Sequence, residues 1–283
     1  MSWQTLALIS VSTLSISNLV GRVLMKNNKS DPVGYSIIFQ FGLGLAALFF
    51  ALLFKKFIWP AGEGFFIRFL ISTILWALTT VFSFSSIKRL EAGEATIIMS
   101  AGTLISIFLG IIFLHEPLTL RLFFGTAIVL LAIWIVTTEK LSFTSKKGLI
   151  FALLAAACSG IAVVNDAIIL KTYEAFSYTA IMSFLPGFIL LAFFPKRLIK
   201  IVPNLDKKFI SGMIVLCFLY AIQAITYYLA FQSGAPVSQL SPITRASVVL
   251  TVILAALFIN ERKDLFRKII AAFVMTLGVL LLG

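Results

Sequence analysis

Apolar runs of helix length succeed one another along this chain with only short polar intervals between them. That feature fixes the solvent before anything else is decided. About 20 apolar residues, rising about 1.5 Å each, cross a hydrocarbon core of about 30 Å. Lipid offers the backbone no hydrogen-bond partner, so runs of this length are expected to be helices. Ten spans are predicted, at 3–25, 33–54, 65–87, 92–114, 120–138, 148–170, 178–195, 209–231, 237–258 and 265–282. Hydrophobic residues make up 60% of the chain and charged ones 12%, and the mean hydropathy is +1.08. A soluble domain of this size would need far more polarity to cover its surface.

The intervals carry the expected punctuation. "KNNKSDP" follows the first span, "KKFIWPAGEG" the second, "PKRLIKIVPNLDKK" the seventh and "QSGAP" the eighth. Helices end at such residues and lipid excludes such charge. None of these breaks is long enough to hold a separate soluble domain. Arg22 and Lys26, the first cations, come after the first apolar run, so that run is expected to be a retained span and not a cleaved signal. Cys158 and Cys217 sit inside apolar runs and read as small packing residues.

The chain also repeats itself. "LHEPLTLRLFFGTAIVLLAIWIV" from Leu114 is matched by "INERKDLFRKIIAAFVMTLGVLLL" from Ile259. Glu116 and Glu261 are 145 apart, Gly42 and Gly187 are 145 apart, and Asn18 and Asn165 are 147 apart. These marks divide the chain into halves at 1–138 and 148–283, joined by a linker at 139–147. Five spans is an odd number, so the second half is expected to enter the membrane upside down.

Charge agrees with that inversion. Of the 23 lysines and arginines, seventeen flank the breaks after spans one, three, five, seven and nine. Five flank the other breaks: Lys55, Lys56, Arg68, Arg121 and Lys171. Loops rich in Lys and Arg stay in the cytoplasm, which places both termini on the other side. Because the net charge of +12 is scattered through short loops, it reads as membrane orientation and not as a nucleic-acid surface.

These residues resemble the drug/metabolite transporter superfamily, specifically its EamA-like ten-helix branch. The motif that carries the likeness is an apolar helix ending in Glu, a short polar turn, and a further apolar helix. It stands here as "IIFLHEPLTLRLFFGTAIVLLAIWI" and as "ALFINERKDLFRKIIAAFVMTLGVLL". In the second copy Arg262 and Lys263 follow the glutamate, where the first has Pro117. The resemblance implies an all-α membrane protein of ten transmembrane helices in two inverted five-helix repeats. Spans one to four and six to nine would surround a central cavity, with spans five and ten outside.

Charge at lipid depth is costly and marks function until a partner is found. Asp166 and Arg245 lie at similar predicted depths in spans six and nine, so they are expected to be able to meet. They read as a grip on a zwitterion such as an amino acid, as a carboxylate that takes a coupling proton, or as a fixed pair that locks or gates two helices. Gln223 and Tyr227 share a face of span eight and read as cavity lining or an interhelical bond. Asn18 and Asn165 read as helix braces or substrate contacts, and Gln40, Trp76 and Ser100 as wall residues of the first half. Glu116 and Glu261 at helix boundaries are expected to face free N–H groups and the positive end of the following helix. Pro242, and Pro186-Gly187 opposite Gly42, read as hinges or close-packing points.

The function these residues point to is secondary active transport of a small polar or amphipathic metabolite by alternating access, with an amino acid or related compound favoured. The partners would be that solute, the bilayer and a coupling proton or other ion, in a bacterial inner membrane. No G-x-x-x-x-G-K-[ST] loop is present, so no nucleotide cofactor is expected. A lipid-headgroup flippase or multidrug exporter is the alternative, to be recognised by a lateral opening. An intramembrane enzyme is disfavoured because His115, the single histidine, falls in an interfacial turn and no acidic or cysteine cluster has metal-ligand spacing.

Overall fold

The computed structural model describes residues 1–25, 31–60, 63–90, 98–137, 145–201, 205–258 and 265–282. Among them the chain forms twelve named helices and no strand. In the first half these are α1 (Trp3–Met25), α2 (Pro32–Leu53), α3 (Glu63–Ile87), α4 (Ala101–Leu114) and α5 (Leu120–Thr137). The second half has α6 (Lys146–Leu170), α7 (Ala175–Phe193), the short α8 (Pro195–Ile201), α9 (Lys207–Gln232), α10 (Val237–Thr244), α11 (Ala246–Phe258) and α12 (Leu265–Leu282). Within α1, α2, α3, α6, α7 and α9 run six segments long and apolar enough to cross a bilayer, and shorter apolar stretches fall in α4, α5 and α12. Glu261 lies outside the described residues.

Polar residues in the breaks start these helices. Asp31 precedes Pro32 at the head of α2, where the missing proline N–H is no loss. The Ser145 hydroxyl accepts from the Gly148 N–H to cap α6, Glu174 accepts from Ser177 to cap α7, and Asp206 accepts from Phe209 to cap α9.

The expected span at 237–258 is interrupted. Helix α10 ends at Thr244, Arg245 forms a turn, and α11 begins at Ala246. Pro242 lies in the last turn of α10, where its missing N–H leaves the ladder one bond short. The first half breaks at the corresponding place: residues 98–99 are helical, Ser100 is a turn and α4 begins at Ala101. The Thr103 N–H donates to the Ser100 carbonyl at 3.0 Å, and the Val248 N–H donates to the Arg245 carbonyl at 3.0 Å. The two breaks are thus 145 residues apart and bonded alike.

Packing follows the repeat. Exchange each helix for the one at its offset and α1 against α9 becomes α6 against α3, while α1 against α11 becomes α6 against α4. Helix α2 packs on its own counterpart α7, and α5 on α12. All these interfaces join one half to the other. The sequence marks small residues at them, and small residues let helices approach where lipid supplies no hydrophobic driving force. A Cβ at Gly102 would lie 2.7 Å from the Ala156 carbonyl, and one at Gly160 would lie 2.7 Å from the Gly102 carbonyl. The image seam uses hydroxyls: Ser15 Oγ donates to the Ser247 carbonyl at 3.2 Å, and Thr251 Oγ1 donates to the Ser15 carbonyl at 3.3 Å.

The expected opposition of Gly42 to Pro186-Gly187 is corrected. Gly187 meets Gln40 and Phe41, whereas Gly42 faces Cys217 of α9. The residues of α2 two apart point about 200° apart around the helix, so the two contacts fall on different neighbours. Both glycines are close-packing points, and Pro186 sits inside an unbroken α7.

Candidate functional site

Among the described residues two charges within predicted spans, Asp166 and Arg245, have separate surroundings. Asp166, near the C-terminal end of α6, is fully buried. Its Oδ1 accepts from Ser72 Oγ at 2.6 Å and from the Tyr178 hydroxyl at 2.6 Å. Its Oδ2 accepts from Trp76 Nε1 at 2.8 Å and from the Tyr228 hydroxyl at 3.1 Å. An ionised carboxylate has about four lone-pair sites, and four donors occupy them. Those donors come from α3, α7 and α9, so one side chain ties four helices together. Asn165 extends the network, its Nδ2 donating to Ser72 Oγ at 2.7 Å and to the Arg68 carbonyl at 2.8 Å. The rings of Tyr178 and Tyr228 meet edge to face with centroids 5.1 Å apart.

The loops beyond this cage are fastened too. The Tyr173 hydroxyl, between α6 and α7, donates to the Ile58 carbonyl. Burial pushes its phenol up to about 12.

Arg245 sits in the break between α10 and α11 and is half-buried. Its Nε donates to Thr103 Oγ1 at 2.8 Å, so the break in one half reaches directly to the break in the other. Among the described residues, no carboxylate pairs with it and no acceptor meets its two Nη atoms. Tyr220 and Tyr227 lie within electrostatic reach of the guanidinium.

Of the readings open for Asp166 and Arg245, the fixed pair is excluded: the two side chains have separate partners. Tyr228 points its hydroxyl at Asp166, while its neighbour Tyr227 lies in reach of both charges. Consecutive residues on a helix diverge by about 100°, and that rotation separates the two environments.

The other candidates divide between bracing and lining. Gln223 Nε2 donates to Ser10 Oγ at 3.1 Å, joining α9 to α1. Gln40 Nε2 donates to Thr80 Oγ1 at 2.9 Å, and Thr80 Oγ1 donates to the Trp76 carbonyl at 2.7 Å. Trp76 is half-buried with its N–H taken up by Asp166, and Asn18 is half-buried on α1. Ser100 is buried at the first-half break, the position equivalent to Arg245. Beside it a groove of about 450 Å³ runs between α4 and α5, lined by Leu104, Leu131 and Trp134.

Glu116 does satisfy free backbone N–H groups at a helix start, but the helix is not the one expected. Its Oε1 accepts from the Val237 N–H at 2.6 Å and its Oε2 from the Ser238 N–H at 2.8 Å. The carboxylate caps α10 in the other half, not α5, which follows it. Helix α4 ends with His115 in the left-handed region at φ 56°, and the Glu116 N–H donates back to the Gly110 carbonyl at 3.4 Å. That reversal turns the side chain over Gly110, where a Cβ would lie 3.1 Å from Glu116 Oε2.

Sequence reasoning missed Ser72, Tyr178, Tyr228 and Thr103. Ser72 and Trp76 did carry a signal, since two donors four residues apart share one face of α3.

The family model described as the EamA-like transporter family matches residues 1–138 and again residues 146–283. The chain belongs to the EamA-like transporter family. Membership makes it an integral membrane protein of the drug/metabolite transporter type, built of two sequence repeats, and points to a transporter and not to an enzyme. Among 29 matching chains of solved structures, one crystal structure of a protein superposes with a TM-score of 0.77 at 12% identity. That match covers 98% of this EamA-like chain and 97% of the other, and shows a shared fold. Comparison with curated proteins gave no significant match.

Proposed function

We propose that this EamA-like protein is a secondary transporter in which two oppositely oriented halves of five spans expose a polar site to each side of the membrane in turn. The observation that carries the reading is the Arg245–Thr103 bond, because it joins matching helix breaks from the two halves. Broken helices at corresponding places in inverted repeats are where transporters hold their substrates and bend. The exchange of packing partners between halves supports the same arrangement. With the Lys and Arg bias the termini are non-cytoplasmic, as expected in a bacterial inner membrane. The cargo is a small polar or amphipathic metabolite that contacts Arg245, Tyr227 and Thr103. The amino-acid reading loses its main support, since Asp166 has no lone pair left for an ammonium group.

The test is transport in reconstituted vesicles, with substrates found by screening metabolites for stabilisation of the purified protein. Arg245→Gln is expected to lower transport by about tenfold or more, the loss of one charge-assisted contact, while circular dichroism stays native. Unchanged transport in a folded variant removes Arg245 from the site. The groove beside Ser100 favours a second reading, entry of an amphipathic cargo from the bilayer between α4 and α5.

A further inference from the structure

Arg245 holds more donors than the described residues take up. A guanidinium carries five N–H groups in a planar fork. One of them, on Nε, is taken by Thr103, and among the described residues the Nη atoms find no acceptor. A cation at this depth in a membrane costs free energy, and helices retain it when something compensates the charge. Among the described residues none supplies a counter-charge to Arg245. Asp166 would be the natural one, and it is fully buried among four donors of its own. The phenols of Tyr220 and Tyr227 lie within electrostatic reach of Arg245. The equivalent position in the first half is Ser100, so the repeat does not double the cation.

Resting on the transporter reading, we infer that the Arg245 site takes one oxyanion, a carboxylate or phosphoryl group carried by the cargo, on the free Nη edge of the guanidinium. Two parallel N–H bonds fit either group, and the compact cation of an amine is repelled by the guanidinium charge. A zwitterion is bound through its carboxylate alone. A substrate with one acidic group is therefore bound more tightly than its amide or ester, and a purely cationic solute is not bound. The same chemistry is presented by a free acid or phosphate and by an anionic lipid headgroup.

The test uses the full chain and reads Arg245 itself. Phenylglyoxal, which modifies arginine, is applied to protein in phosphatidylcholine vesicles, and peptide mass spectrometry follows the modification of Arg245. Inorganic phosphate and glutarate are the oxyanion probes; choline and glucose are the controls. The expected result is modification of Arg245 that is slowed about fivefold by an oxyanion at a few times its dissociation constant, with no effect of choline or glucose. Protection by the soluble probes identifies a solute site. Protection that needs added phosphatidylglycerol identifies a headgroup site, and both outcomes uphold the inference. It is overturned if Arg245 stays unmodified, if no oxyanion or lipid slows the reaction, or if choline protects equally. Transport that depends on Arg245 without any such protection would reject the oxyanion assignment and leave the transporter reading standing.

Discussion

Asp166 and Arg245 are both charges inside a membrane bundle, yet the protein treats them in opposite ways. Asp166 is fully buried and receives four hydrogen bonds from three other helices. Arg245 is half-buried at a helix break and, among the described residues, gives one side-chain hydrogen bond, to the other half of the chain. The lesson is that saturation, and not depth, separates structural charge from functional charge. A carboxylate with every lone pair engaged is a knot between helices. A guanidinium whose Nη atoms meet no acceptor among the described residues is the one we propose for the cargo.

Several variants would break that contrast or sharpen it. Asp166→Ala removes the acceptor of an indole N–H and three hydroxyls, all inside the bundle. We expect it to cost about 3–5 kcal/mol, the range for breaking a buried charged network, read as a large fall in thermal stability. A small change would show that Asp166 is not the knot described here. Glu116→Ala is next, because it leaves the Val237 and Ser238 N–H groups without their cap. The expected loss is about 1–3 kcal/mol, with faster amide exchange concentrated at the start of α10. Unaltered exchange there would mean that the clamp between the halves carries no stability.

Much of this architecture was legible in the sequence. The apolar runs located the helices, and the marks 145 residues apart located the repeat that the family match also finds. What could not be read was rotation about each helix axis. Residue counts give depth at about 1.5 Å per residue, and they put Asp166 and Arg245 at similar levels. They do not say that Asp166 faces Ser72, Trp76, Tyr178 and Tyr228 while Arg245 faces Thr103. Pro242 announced the break in the second half, but Ser100 carries no such signal, and only the repeat could have transferred it. The contact of Glu116 with Val237 crosses 121 residues of chain, beyond any local capping rule.

The central claim is that Asp166 serves the fold and Arg245 serves the cargo. The most direct check compares thermal unfolding of the Asp166→Ala and Arg245→Gln variants with that of the parent, in one detergent and without substrate. Removing a cation that no described carboxylate pairs relieves a cost, so Arg245→Gln should melt at the parent temperature or above it, while Asp166→Ala melts well below. If Arg245→Gln were destabilised as much as Asp166→Ala, Arg245 would be a structural group, and the division between the two charges would be wrong.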